Sequence, residues 1–115
     1  MSDACLFCRI VAGEIDATAV YDDELVYAFR DLAPIAPTHV LVVPKRHIAG
    51  ADTVTAEDGA VVAALFVAAR AVAVAEGIVE GGYRTVFNVG AEAGQTVLHL
   101  HLHVIGGRRL GWPPG

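Results

Sequence analysis

Three histidines alternate with two leucines near the end of the chain, in the segment His99-Leu100-His101-Leu102-His103. Successive side chains on a β-strand point to opposite faces, so a strand would place the three imidazoles on one face and the leucines on the core face. A lone strand histidine usually has no chemical role. Three in register are different, because Thr, Lys or Glu would solvate a surface face equally well. The pattern therefore indicates a functional site.

Two chemistries can use such a row of imidazoles. Metal binding by all three rings is disfavoured, because His99 and His103 start about 13 Å apart on a strand and zinc holds nitrogen at about 2.0–2.1 Å. The other chemistry is nucleophilic catalysis, since a neutral imidazole attacks phosphorus near neutral pH and a covalent intermediate divides one difficult step into two. The flanking histidines would orient the central ring, His101, and bind phosphate oxygens.

The two cysteines of the chain form a second motif, with the spacing Cys5-x-x-Cys8. In a cytosolic protein this spacing indicates a metal pair or a redox pair, not a structural disulfide. A redox pair would normally open a helix in a thioredoxin-like unit, which this sequence pattern lacks. A structural zinc, which needs two more ligands, and two plain buried thiols are the remaining interpretations.

Hydrophobic periodicity and turn residues predict the elements that must position these groups. A short helical turn is followed by two strands around an acidic turn, a compact apolar strand, a long helix and two further strands. The predicted ranges are Cys5–Ala12 for the helical turn, Ala56–Glu76 for the long helix, and Ala19–Tyr21, Leu25–Phe29, His39–Val43, Tyr83–Val89 and Val97–Ile105 for the strands.

The long helix has a boundary signal at each end. Thr55 is a good N-cap residue, and Gly77 is placed to end the helix. One helix cannot supply the crossovers that five parallel strands would need. The sequence therefore predicts an α+β fold, with a mainly antiparallel five-stranded sheet, one long helix and a short N-terminal helix. His39, on a strand of its own, could then join the histidine row.

Length and composition restrict the class of protein. The chain has 115 residues, of which 55% are hydrophobic, and a net charge of −5. This favours one domain over residues 1–115 that folds without disulfides. An acidic chain is a poor candidate for binding nucleic-acid backbones. The most apolar segment, Ala60–Ala75, carries Arg70 and is short for a membrane span. With no signal peptide expected either, we predict a cytoplasmic protein that does not bind membranes.

These motifs together resemble the histidine triad (HIT) family, whose pattern is His-φ-His-φ-His-φ-φ with φ apolar. The segments Phe29–Pro34 and Pro37–Ile48 are similar to the family's central region, and Gly94-Gln95-Thr96 precedes the triad as it does there. Gly106-Gly107-Arg108 and the ending Trp112–Gly115 resemble the histidine triad nucleotide-binding branch in particular. The resemblance extends from about Cys5 to the C-terminus. It implies a HIT-like domain that forms a homodimer whose sheets join across the interface.

The resemblance also implies an activity: hydrolysis of nucleoside phosphoramidates, such as adenosine 5′-phosphoramidate, at the α-phosphorus through a covalent nucleotidyl-histidine. By position, His101 is the nucleophile, His103 and His99 are its triad partners, and His39 lies beside them. Asp31 would accept hydrogen bonds from the ribose hydroxyls. The other nucleotide-binding residues implied are Asn88, Gly94, Gln95 and Thr96 near the phosphate, and Phe7, Ile10, Ile15, Phe29 and Leu32 near the nucleoside. No organic cofactor is implied.

Two departures from the best-known members matter. Thr96 occupies a position where those members have Ser, and this replacement keeps the hydroxyl. The Cys5–Cys8 pair occurs in zinc-carrying relatives, and this resemblance supplies His47 and His99 as the other ligands of a closed, structural Zn²⁺ site. Alternatives are a dinucleoside polyphosphate hydrolase or nucleotidyl transferase, a metallohydrolase that uses His101, and a non-catalytic nucleotide-binding regulator. A Gly-x-x-x-x-Gly-Lys phosphate loop is not found in the sequence. The contribution of Trp112 to a partner's site is open.

Overall fold

The computed structural model describes residues 4–115. The elements are α1 (Leu6–Val11), β1 (Ala19–Asp22), β2 (Val26–Arg30), β3 (Thr38–Pro44), α2 (Gly59–Glu76), β4 (Tyr83–Val86) and β5 (Leu102–Gly106), and three short 3₁₀ turns, Ala51–Thr53, Ala56–Asp58 and Ala91–Ala93, lie between them.

The five strands form one sheet in the order β1-β2-β3-β5-β4, and every neighbouring pair is antiparallel. This confirms the predicted α+β fold. The register sets Leu41 on β3 opposite His103 on β5, and His39 opposite Ile105. His39 lies two residues before Leu41, so it shares a sheet face with Leu41 and His103. The pairing of β3 with β5 therefore brings two of the predicted site histidines onto one face.

The boundaries of α2 follow the predicted signals closely. Thr55 caps a 3₁₀ turn, Ala56–Asp58, by accepting a hydrogen bond from the backbone N–H of Glu57, and the α-helix proper starts at Gly59. Gly77 ends it in the left-handed conformation, with φ of 72°, which glycine adopts without steric cost. Length and composition alone would allow Ala56–Glu76 to cross a membrane. In the structure, its inner face packs on the sheet.

The sheet separates two apolar clusters. On one face, the buried side of α2 packs against alternate residues of the central strands, which include Val40, Val42, Leu102 and Val104. On the other face, α1 packs through Phe7 and Ile10 against Phe29, Leu41 and Val43. The site histidines lie on this second face. The helix α1 is therefore the element that covers them.

The predicted strand Val97–Ile105 was wrong at its start, because β5 begins only at Leu102. The ladder between β3 and β5 stops at the pair Val42 and Leu102. The next position on β3 that could extend it is Pro44, which has no N–H to donate. The strand predicted over Tyr83–Val89 likewise ends at Val86, whose partner is His103. His99 and His101 thus precede the strand, and period-two alternation does not govern where their rings point.

Candidate active site

A cavity of about 270 Å³ opens between α1, the end of β2 and the loop before β5. One end is apolar, and it is lined by Phe7, Ile10, Ile15, Phe29 and Leu41. The other end carries polar groups, which belong to Asp31, Gly94, Thr96, His101 and His103. An apolar slot beside a few converging polar groups is typical of small-molecule sites.

His101 is buried at the polar end of this cavity. Its Nδ1 lies 2.7 Å from the carbonyl oxygen of His99. A carbonyl only accepts hydrogen bonds, so the hydrogen-bond network assigns the ring proton to Nδ1 and leaves the lone pair on Nε2. The ring of Phe7 packs edge-on against the imidazole, with ring centroids 5.1 Å apart. The imidazole is therefore held in one orientation and one tautomer.

A chain of hydrogen bonds fixes His103, which lines the cavity, and His39, which lies beside His103 outside the lining. The backbone N–H of Ile35 donates to Nδ1 of His39 at 3.2 Å, which leaves the proton of the neutral ring on Nε2. This Nε2 lies 2.9 Å from Nδ1 of His103 and 3.3 Å from Oδ2 of Asp31. When His39 donates to His103, the proton of His103 is on its own Nε2. Within residues 4–115 this buried nitrogen has no hydrogen-bond partner, so it is available to a ligand.

Burial keeps these rings uncharged. Burial, together with the neighbouring His101 and His39, lowers the pKa of His103 to about 4. Burial also lowers the pKa of His39 below its ordinary value, although the carboxylate of Asp31 opposes the change. Neutral imidazoles at His39 and His103 suit hydrogen-bond donors better than a general acid that must be protonated beforehand.

A second cluster lies behind the cavity and contains both cysteines. Cys5, Cys8, His47 and His99 place their sulfur and ring nitrogen atoms within 4.8 Å of one another. Nδ1 of His99 lies 3.2 Å from Sγ of Cys5 and 3.5 Å from Sγ of Cys8, and Nδ1 of His47 lies 3.4 Å from Sγ of Cys8. A tetrahedral zinc would separate such a sulfur and nitrogen by roughly 3.5 Å. These four side chains therefore fit a Cys₂His₂ zinc site.

The tautomer of His99 supports the same conclusion. This ring is fully buried, and its Nε2 lies 2.8 Å from the carbonyl oxygen of Pro44. The proton must be on Nε2, so the Nδ1 lone pair points into the cluster, as a metal ligand requires. Burial and contact with Cys5 raise the pKa of the Cys8 thiol to about 11. A bound cation would favour the thiolate instead.

The structure distributes the other predicted residues unevenly. Phe7, Ile10, Ile15, Phe29, Asp31, Leu32, Gly94, Thr96, His101 and His103 all line the cavity. His99 does not, since its ring belongs to the cysteine cluster. Asn88 lies beside Gly94 at the edge of the cavity, with its amide nitrogen 4.0 Å from where a Gly94 Cβ would stand.

The structure does not bring the Gln95 side chain to the cavity, contrary to the expected phosphate contact. Its Oε1 accepts from the backbone N–H of Gly90, and its Nε2 donates to the carbonyls of Ala49 and Val97. All three bonds join stretches of backbone. Gln95 therefore stabilises the loop that precedes the histidine segment.

Sequence reasoning missed several lining residues, namely Leu6, Asp16, Ala17, Arg30, Leu41 and Val97. Leu41 could have been found, because it lies two positions after His39 on a predicted strand. The backbone groups of Ile35 and Pro44 that set the tautomers of His39 and His99 carry no sequence signal, because any residue type offers a carbonyl and all but proline offer an N–H.

The profile of the HIT domain family matches residues 12–110. An uncharacterized HIT-like protein of Synechococcus elongatus is 51% identical over 115 residues, which cover 100% of both chains. The purine nucleoside phosphoramidase of Escherichia coli K12 is 41% identical over 111 residues, which cover 96% of this chain and 93% of that enzyme.

Among solved structures, a HIT family hydrolase from Legionella pneumophila superposes with a TM-score of 0.95 and 51% sequence identity. The superposition covers 96% of this chain and 99% of that one.

Proposed function

The chain belongs to the HIT domain family, and we propose that it hydrolyses purine nucleoside phosphoramidates of the adenosine 5′-phosphoramidate type at the α-phosphorus. The observation that carries this proposal is the tautomer of His101. Its Nδ1–H is held by the His99 carbonyl, so the lone pair is on the nitrogen that can form a bond to phosphorus. The similarity to a purine nucleoside phosphoramidase supports the choice of substrate.

In the first step, Nε2 of His101 attacks the α-phosphorus in line with the leaving amine. The new P–N bond to the histidine forms while the P–N bond to the amine breaks. The imidazole thereby gains positive charge, which the hydrogen bond from Nδ1–H to the His99 carbonyl stabilises. The amine leaves with a proton that solvent supplies through the hydroxyl of Thr96, while Nε2–H of His103 remains a hydrogen-bond donor. Water then cleaves the nucleotidyl-histidine and releases the nucleoside monophosphate.

Binding of the nucleotide uses both ends of the cavity. The purine base fills the apolar end, between Phe7, Ile10 and Phe29. Asp31 accepts hydrogen bonds from the ribose hydroxyls, and the backbone N–H of Ala33 holds its carboxylate in place through Oδ1. Nε2–H of His103 donates a hydrogen bond to the phosphoryl oxygens and stabilises the negative charge that develops on them. The ring is already oriented for this, so no reorientation is needed.

A zinc ion held by Cys5, Cys8, His47 and His99 supports this site. All four ligands come from the protein, so the ion supplies a cross-link between α1, the segment after β3 and the histidine segment. The chemistry at phosphorus uses only residues of the cavity.

The active form is a homodimer. The strand β4 is an edge of the sheet, so one side of its backbone has no partner strand within residues 4–115, and such an edge is ready to pair with another strand. Beside it, the outer face of α2 exposes the apolar side chains of Phe66, Val67 and Val74. Exposed apolar patches of this kind mark protein interfaces. Two copies that pair through β4 and α2 would cover both features.

The nucleophile assignment is tested with His101→Ala. We expect turnover of adenosine 5′-phosphoramidate to fall by at least about 10³-fold, because the attacking atom is lost. Release of AMP is measured by chromatography. A matched control is Glu92→Gln, which changes an exposed side chain of the neighbouring Ala91–Ala93 turn and should keep wild-type turnover. Near wild-type turnover by His101→Ala would refute the assignment.

A second measurement tests the covalent intermediate and the substrate class. Mass spectrometry of acid-quenched enzyme should find a nucleotidyl adduct on His101 and on no other residue. Turnover of the phosphoramidate should also exceed that of a diadenosine polyphosphate at equal concentration. The reverse preference would identify a dinucleoside polyphosphate hydrolase instead.

A further inference from the structure

The cysteine cluster and the nucleotide cavity share one element, the helix α1. Cys5 caps its N-terminus, with Sγ accepting from the N–H of Cys8, and Cys8 lies in its first turn. Phe7 and Ile10 of the same helix line the apolar end of the cavity. A helix of six residues has no stability of its own in water. Its position therefore depends on what holds these side chains.

His99 provides a second connection between the two sites. Its ring faces Cys5 and Cys8, while its backbone carbonyl accepts the hydrogen bond that orients His101. Phe7 contacts both imidazoles, with ring centroids 5.9 Å from His99 and 5.1 Å from His101. A shift of the His99 ring would therefore displace His101, the proposed nucleophile, and Phe7, which lines the cavity.

We infer that metal binding at Cys5, Cys8, His47 and His99 and nucleotide binding in the cavity are thermodynamically coupled, each tightening the other. The inference rests on the proposed function, because it takes the cavity to be the nucleotide site. The metal is a divalent cation that prefers sulfur and imidazole ligands, such as Zn²⁺. The nucleotide is a nucleoside 5′-monophosphate or its amide.

The sign of the coupling follows from the state of α1. Without a cation, α1 is held by apolar packing and by the weak hydrogen bonds between the thiols and the imidazoles. A fraction of the molecules then lacks the complete cavity, and this fraction weakens the apparent affinity for the nucleotide. A bound cation fixes α1 and the His99 ring beforehand. By reciprocity, the nucleotide must raise the affinity for the cation by the same factor.

The first arm of the test measures 5′-AMP binding by titration calorimetry. One sample is loaded with one Zn²⁺ per chain, and the other is freed of metal with a chelator under reducing conditions. We expect the Kd for AMP to be about tenfold higher in the metal-free protein, within the usual range of such couplings. Circular dichroism establishes that both samples are folded. Equal Kd values in two folded samples would overturn the inference.

The second measurement starts from the zinc-loaded protein. It therefore remains informative even if the metal-free chain unfolds. Transfer of Zn²⁺ to a competing chelator is followed with and without saturating AMP. AMP should raise the affinity of the protein for Zn²⁺ by about tenfold, the factor found in the first arm. A zinc affinity that AMP leaves unchanged contradicts the coupling.

Two variants separate this coupling from general stabilisation by AMP. Phe7→Leu removes the ring that contacts His99 and His101, and the coupling factor should fall towards one. Val72→Ala removes buried methyl groups from the cluster beneath α2, on the sheet face away from both sites, and it should lower stability but keep the wild-type factor. If both variants reduce the factor equally, the zinc measurement reports only global stability and the inference fails.

Failure of the coupling is distinguishable from failure of the proposed function. Loaded protein that binds AMP and hydrolyses the phosphoramidate, but with a coupling factor of one, overturns this inference alone. Loaded protein that neither binds AMP nor hydrolyses the phosphoramidate overturns the proposed function, and the inference with it.

Discussion

His103 is a partly buried imidazole whose environment opposes its protonation. Burial lowers its pKa to about 4, while the same side chain in an unfolded chain titrates near 6.5. Between these two values the unfolded chain binds a proton at His103 and the native protein does not. Folding stability contributed by this residue is therefore present above pH 6.5 and is lost as the pH falls from about 6.5 to about 4.

We predict that His103→Gln flattens the acid side of the stability profile. Each pH unit in this window costs the wild-type protein about 1 kcal/mol through His103, and the variant lacks this contribution. Urea unfolding at pH 6.5, 5.75 and 5.0, with equal metal content in both proteins, measures the slope. His39 and His99, whose pKa values burial also lowers, remain in both proteins. Parallel profiles would mean that His103 binds a proton as readily in the native state as in the unfolded state, and would contradict the lowered pKa.

Residue types in the site were predictable, but their roles depend on backbone atoms. The alternation of His99, His101 and His103 indicates chemistry from the sequence alone. It did not indicate that the first ring turns away from the cavity, towards the cysteines. That outcome depends on Pro44, which ends the ladder and offers its carbonyl to the His99 ring. The resemblance to zinc-carrying relatives predicted that His99 lies with the cysteines. The strand periodicity predicted instead that it faces the same side as His101 and His103.

At the scale of elements, a carboxylate ties the last turn of α2 to the sheet. Glu76 accepts two hydrogen bonds from the guanidinium of Arg30 on β2, at 3.0 and 2.8 Å, and one from the hydroxyl of Thr38 on β3 at 3.1 Å. A negative charge at a helix C-terminus is unfavourable by itself. The three donors more than offset this, since the Arg30 hydrogen bonds lower the pKa of Glu76 below its ordinary value.

We predict that Glu76→Ala destabilises the fold by about 1–2 kcal/mol, because it removes a bidentate ion pair and leaves Thr38 without its acceptor. The pair is partly exposed, which limits the effect through solvent screening. Urea unfolding at pH 7 measures the loss. Glu80→Ala, which changes an exposed carboxylate just beyond the helix, serves as the control and should stay within about 0.5 kcal/mol of wild type. An equally small effect of Glu76→Ala would show that the tie contributes no net stability.

The elements themselves were mostly predictable, because their signals are local. Thr55, Gly77 and the apolar periodicity of α2 located the long helix to within three residues at its start. The errors fall where pairing with another strand decides the boundary. β5 starts late because Pro44 cannot continue the ladder, and β4 ends early because its pairing with β5 stops at Val86 and His103, near the start of β5. Such limits depend on register, which a single strand's sequence does not specify.

The two edges of the sheet differ at the scale of the whole molecule. β1 at one edge has an irregular register between Ala19 and Tyr21, and such bulges disrupt further pairing. β4 at the other edge pairs regularly with β5 along its length. The outer face of α2 bears one charge, Arg70, among apolar side chains. This asymmetry favours the β4 side as the interface of the proposed homodimer.

A charge on the outer face of α2 should therefore separate the two subunits. We predict that Val67→Glu, which alters a side chain that is 62% exposed in one chain, converts the protein from dimer to monomer at micromolar concentration. Burying an unpaired carboxylate in an apolar interface is strongly unfavourable, whereas the isolated chain loses little because Val67 is outside its core. Light scattering coupled to size-exclusion chromatography measures the mass. Leu25→Glu places the same charge at the β1–β2 turn, on the opposite side of the sheet, and should remain dimeric. A dimeric Val67→Glu protein would place the interface elsewhere, and a monomeric wild type would contradict the dimer itself.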